Sequence, residues 1–186
     1  MRTFPAFLLR PARTAASVLL LCCATLAGAD DAAKPAGDAK AAAARPAESA
    51  RAPDASERGA MLEVLKAETA PARAAWFVYA AGDAESKALA DSLSGVFEEA
   101  GWKVHSEALT GLVLKPGVSI LMADEEPPTW AQTAVEGMQA SGIEAKSATG
   151  YRPYYEEKKR ENPAWPGVPM TAEQVFVIVL GPAAKA

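Results

Sequence analysis

The chain of 186 residues contains two cysteines, adjacent at Cys22 and Cys23, and one histidine, His105. Both cysteines fall in a stretch with the form of a secretory leader. Arg2, Arg10 and Arg13 precede an uncharged run from Thr14 to Ala29, which includes Val18-Leu19-Leu20-Leu21 and closes on Ala27-Gly28-Ala29. Cleavage is expected after Ala29, and a chain so processed keeps no cysteine. It can make neither a disulfide nor a thiolate metal site, although an oxidising compartment allows both. The run falls short of the roughly 20 residues a bilayer span needs. The expected location is therefore periplasmic or secreted, with no transmembrane span after cleavage; an uncleaved leader would leave the protein membrane-anchored. Leu21 stands where lipoprotein processing requires a small side chain, so Cys22 is not expected to carry lipid.

Basic charge is also scarce. Removing the leader takes three of the 19 basic residues and none of the 23 acidic ones, which moves the net charge from −4 to −7. Nucleic acid is excluded as the main partner, because binding phosphates requires a concentrated basic surface. Neither GxGxxG nor GxxxxGK[ST] occurs, so no nucleotide cofactor is expected. With no GxSxG elbow, the lone His105 has no nucleophile to serve, and without cysteine it makes a poor zinc site. No catalytic residue and no resident metal is assigned.

What is present divides the chain. Residues 30–53 are mostly Ala, Pro, Lys, Asp and Glu; they cannot offset their ordering entropy by burial and are expected to form a disordered linker. Asp54-Ala55-Ser56-Glu57 has the form of a capping box and opens an amphipathic helix within 54–70. The remaining segment, 71–183, reads as one α/β domain.

Within it a strand–helix–strand pattern is written twice, from Trp76 to Ser106 and from Val118 to Ser147. At an offset of 41 residues Asp83/Asp124, Glu85/Glu126, Ala90/Ala131, Gly101/Gly142 and Ser106/Ser147 are identical. Leu89, Leu93, Val96, Phe97 and Ala100 share one helical face, and Gly101 suits a left-handed terminator. Ala74–Ala81, Val118–Ala123 and Val175–Leu180 are apolar throughout and read as central strands, whereas Trp102–Ser106 and Ile143–Ser147 alternate as edge strands do. The connection from Glu107 to Gly117 is expected to hold a single helical turn around Leu109–Leu114 and to join two parallel strands. A short polar helix is expected from about Pro153 to Asn162, with Glu156 and Arg160 paired four apart.

The plan resembles small Rossmann-like or flavodoxin-like domains. It implies a three-layer fold with a five-stranded, mainly parallel sheet. Order 2-1-5-3-4 buries the very apolar last strand and is favoured; order 2-1-3-4-5 is the alternative and would leave that strand on an edge.

In such a sheet, ligands collect where strand carboxyl ends meet helix N-termini. One common rim is expected there, with Asp83, Glu85, Asp124, Glu125 and Arg152 as candidate ligand-binding residues. Asp83, Asp124 and Glu125 are the oxygen ligands a Mg²⁺- or Ca²⁺-assisted hydrolase would use. The acids also suit helix capping, Asp83 and Asp124 as N-caps and the glutamates near the dipole. Tyr151, Tyr154, Tyr155 and Trp165, interleaved with Arg152, Lys158, Lys159 and Arg160, form a candidate face for an envelope protein or a polysaccharide. The leading expectation is an exported, non-catalytic binding module. The alternatives are the metal-assisted hydrolase and an envelope scaffold that self-associates through the N-terminal helix.

Overall fold

The computed structural model describes residues 51–183. The leader, its cleavage site and residues 30–50 of the expected linker lie outside them. The elements are α1 (Ala55–Ala67), β1 (Ala74–Ala80), α2 (Ala84–Glu99), β2 (Lys103–Leu109), β3 (Val118–Met122), α3 (Thr129–Ala140), β4 (Ala145–Ala148), α4 (Tyr151–Glu161) and β5 (Phe176–Leu180). Among the described residues no helix is long and apolar enough to cross a membrane.

The expected capping box forms. Asp54 Oδ1 accepts from the Ser56 and Glu57 amides at 2.8 and 2.9 Å, and Glu57 Oε2 accepts from the Asp54 amide at 2.8 Å. Gly101 (φ 82°) and Gly142 (φ 68°) take the left-handed conformation just beyond α2 and α3. Each lets the chain leave its helix and turn into the next strand, a backbone shape that other residues adopt only with strain.

The sheet has the favoured order, β2-β1-β5-β3-β4. Each strand–helix–strand unit pairs its own strands in parallel: Ala74 sits opposite Lys103 in one and Val118 opposite Ala145 in the other. Phe176–Leu180 runs between the units with every residue buried, as its composition demands.

The direction of the second unit differs from expectation. β5 is parallel to β1 but antiparallel to β3, with Val118 opposite Leu180 and Met122 opposite Phe176. β2 and β3 therefore run in opposite senses. The cause is the connection between them: residues 110–117 contain no helical turn, and eight residues are too few for the crossover that parallel strands require. β3 instead enters the sheet at the end where β2 leaves it.

The two faces are covered unequally. Phe77, Ile120, Met122, Phe176, Ile178 and Leu180 point into the main core with Leu89, Leu93 and Phe97 of α2 and Met138 of α3. The N-terminal helix packs on α2 and α3, not on a sheet edge. It approaches α3 closely at Gly137, where an added Cβ would sit 3.1 Å from Leu65 Cδ2. Trp102 completes this layer; its Nε1 donates to the Leu65 carbonyl at 3.2 Å. The opposite face buries a smaller cluster of Val78, Leu109, Leu114, Val168, Val177 and Val179, covered by extended loops and by Tyr151 at the start of α4.

Candidate functional site

Because the units are antiparallel, the acidic residues expected at one rim lie at two. Asp83 follows β1 and Asp124 follows β3, and these strands end on opposite edges of the sheet. The five residues of β3 alone span about 17 Å at 3.3 Å per residue. Asp83 therefore cannot share an ion with Asp124 and Glu125, since Ca²⁺–oxygen contacts are about 2.3–2.6 Å. Among the described residues no group of three or more His, Cys, Asp or Glu side chains is placed to hold a metal.

At the first end, Asp83 is the N-cap of α2. Its Oδ1 accepts from the Ser86 amide at 3.1 Å, and the Ser86 hydroxyl lies 2.7 Å from Oδ2 and 2.9 Å from the Gly181 carbonyl, with one proton to place between them. The hydroxyl bond first, then the amide, hold the Asp83 carboxyl below its ordinary value. Glu85 accepts from Arg51, Nε at 2.6 Å and Nη2 at 2.8 Å, while Nη2 also reaches the Gly181 carbonyl at 3.0 Å. Arg51 belongs to the stretch expected as linker, so residues 51–53 join the domain.

At the other end Asp124 is not a helix cap. Pro127-Pro128 disfavours helical backbone in the residue before each ring, and α3 begins only at Thr129 with Pro128 as its N-cap. Asp124 Oδ1 instead accepts from Arg152 Nη1 at 3.2 Å. Arg152 Nη2 donates to the Gln174 carbonyl at 2.8 Å and approaches those of Thr171 and Ala172 at 3.4 Å. Arg152 thus ties the start of α4 to the turn that feeds β5. The Glu125 carboxylate lies against Gly150 so closely that a Cβ there would collide with it.

The aromatic residues, by contrast, come together. Gly150 (φ 67°) turns the chain into α4, which starts at Tyr151, two residues before Pro153; proline is tolerated there because first-turn amides have no intrahelical acceptor. Positions 151, 154 and 155 then share a face. Ring centroids are 6.3 Å apart for Tyr151–Tyr154, 6.1 Å for Tyr151–Tyr155, 5.7 Å for Tyr154–Trp165 and 5.8 Å for Tyr155–Trp165. The Trp165 ring lies directly over Gly167, in space that any side chain at that position would fill. Lys158 and Lys159 place their ammonium groups 5.9 and 5.8 Å from the Tyr154 and Tyr155 centroids. Lys158 also pairs with Glu161 at 2.7 Å, and this is the ion pair within α4 instead of the expected Glu156–Arg160.

Tyr151 anchors the cluster, its hydroxyl donating to the Val168 carbonyl at 3.1 Å. Burial pushes this phenol up to about 12. A raised pKa means the folded state holds the proton more tightly. The resulting stability is fully present below the unfolded value of about 10 and is lost as pH rises toward about 12. Urea melts at increasing alkaline pH are expected to show this loss in the wild type and a smaller one in Tyr151→Phe.

Two residues passed over in the sequence have unusual settings. Trp76 on β1 is partly exposed and stacks on His105 of β2, with centroids 5.2 Å apart and planes inclined by 14°. Gln174 is only 7% exposed, and its Oε1 accepts from the Thr171 amide at 2.7 Å. The available signals were a tryptophan on the less covered face of the sheet and an amide beside the most apolar strand. No family model, no curated protein and no solved structure matches the chain.

Proposed function

We propose that the protein is an exported, non-catalytic binding module whose recognition face is the α4 cluster of Tyr151, Tyr154, Tyr155 and Trp165. The observation that carries this reading is the preassembly of four rings beside cations, with Tyr154 47% exposed at its edge. Tyrosine, tryptophan and arginine dominate the binding energy of protein interfaces, and rings already held by their neighbours lose little entropy on contact. A protein partner in the envelope suits this face better than a polysaccharide, because one face of both Tyr154 and Tyr155 lies under a lysine ammonium and is closed to a stacked sugar.

The other two readings find less support. The hydrolase would need its carboxylates at one end of the sheet. The self-associating scaffold would need an apolar face on α1, yet Met61 and Leu65 are fully buried against the domain's own α2 and α3.

The test uses the full chain expressed with its leader. Mass determination at the new N-terminus is expected to give Asp30. Immobilised protein is expected to retain a specific envelope protein, and Tyr154→Ala or Trp165→Ala to weaken retention about 30-fold each, the effect of losing a hot-spot side chain. Retention unaffected by both changes would remove the α4 face from consideration.

A further inference from the structure

The less covered face of the sheet holds a hollow of about 380 Å³ over β1 and β2. We propose that this hollow is a second binding site, separate from the α4 cluster, that takes one ring of a neutral carbohydrate.

Trp76 forms the floor. The His105 imidazole stacks on one face of its indole and holds the ring in place on a rigid strand pair, and the exposed part of the indole offers the hollow an apolar surface. The C–H groups on one face of a pyranose pack against such a surface, while the ring's hydroxyls point sideways to the walls. The walls supply both kinds of polar partner. Gln174 Oε1 is committed to the Thr171 amide, which fixes the carboxamide's orientation because a backbone N–H needs an oxygen acceptor. Its Nε2 has no partner among the described residues, and Gln174, nine-tenths buried as a residue, lines the hollow. Across the strand pair, the exposed Glu107 carboxylate supplies acceptors, and the Thr171 hydroxyl can act in either sense.

A hydroxyl both donates and accepts, so adjacent sugar hydroxyls satisfy the amide and the carboxylate together. An anion would be repelled by Glu107, and an amine could not use the Gln174 donor. A volume of this order lies within the range of small-molecule clefts. It suits one ring held weakly, as on a polymer that meets many such sites.

The test is ¹H–¹⁵N NMR titration of the protein, expressed as the full chain with its leader, with maltotetraose, cellotetraose and the β-1,4-linked tetramer of N-acetylglucosamine, with adenosine as a planar comparison. At least one oligosaccharide is expected to bind at millimolar concentration and to shift the Trp76 indole Nε1–H, leaving Tyr154 unmoved. Gln174→Glu keeps the acceptor for Thr171 while removing the donor, and is expected to weaken binding about tenfold, the worth of one well-placed hydrogen bond. Trp76→Ala is expected to abolish binding; Glu107→Gln, at an exposed site, guards against loss by misfolding and is expected to weaken it severalfold. The proposal is overturned if none of the three sugars binds, if adenosine alone binds, or if binding is the same in Gln174→Glu and Glu107→Gln as in the wild type. Because Tyr154→Ala is expected to leave sugar binding intact, failure here and failure of the α4 face are separable.

Discussion

Trp102→Ala is expected to destabilise the domain by about 4 kcal/mol, the usual cost of removing a buried aromatic ring from a core that cannot collapse around the gap. Trp102 is 4% exposed and touches three other rings: Phe97 at 5.2 Å, Trp130 at 5.9 Å and Phe176 at 6.4 Å between centroids. It therefore joins α2, α3 and β5, and through its indole N–H to the Leu65 carbonyl it holds α1 as well. In a domain of this size the loss lowers Tm by about 10–15 °C. Trp102→Phe separates the two contributions. It keeps most of the apolar contact but takes the indole donor from the Leu65 carbonyl, which retains only the longer bond from the Glu68 amide at 3.4 Å, and is expected to cost about 1–2 kcal/mol. Thermal melts followed by far-ultraviolet circular dichroism measure both. Equal costs for the two substitutions would mean that the hydrogen bond, not the ring packing, holds the helical layer.

Gly181→Ala is expected to cost about 3 kcal/mol and to lower Tm by about 10 °C. The reason is close approach, not an unusual backbone angle. A Cβ at this position would run into the Lys115 carbonyl, and a backbone atom cannot swing aside as a side chain can. The neighbouring chain is also fixed: the Gly181 amide donates to the Gly117 carbonyl at 2.9 Å, and the Gly117 amide donates to the Pro182 carbonyl at 3.0 Å. Any shift that relieves the clash also moves the Gly181 carbonyl away from Arg51 and Ser86. Gly111→Ala is a useful contrast. An added Cβ there meets nothing within 4 Å, although φ is 72°. It is expected to cost only about 1 kcal/mol, the penalty of a left-handed alanine. A Gly181→Ala variant as stable as Gly111→Ala would show that the loop before β3 yields easily.

Much of the fold was legible because it rests on short-range signals. Asp54 and Glu57 are three residues apart, and Gly101 and Gly142 each sit where an apolar helical face runs out. The burial of Phe176–Leu180 followed from composition alone, and with it the strand order. The polarity of β3 was not legible, since alternation of inward and outward residues reads the same in either direction. Only the brevity of residues 110–117 carried that information. The α4 cluster was legible only in part: the interleaving of rings and cations marked it, but the expected helix began at Pro153, and Tyr151 shares a face with Tyr154 and Tyr155 because α4 starts two residues earlier. The fate of the acidic residues was not legible: Glu85 meets Arg51 across 34 residues and Asp124 meets Arg152 across 28, contacts that only tertiary structure makes. Asp124 resembled Asp83 until the tandem proline delayed its helix.

The reversal of the second unit also fixes how the backbone's own electrostatics combine. α2 and α3 lie on one face and each runs against the strand before it, so the two helices are antiparallel and their macrodipoles oppose. An all-parallel sheet stacks the positive poles of its helices along one border and so attracts anions there. Here the partial charges of the two helices largely cancel, and neither border becomes a pole. Selection among ligands is left to individual side chains, and the affinity of this protein for small phosphates or carboxylates at its strand ends is expected to be negligible.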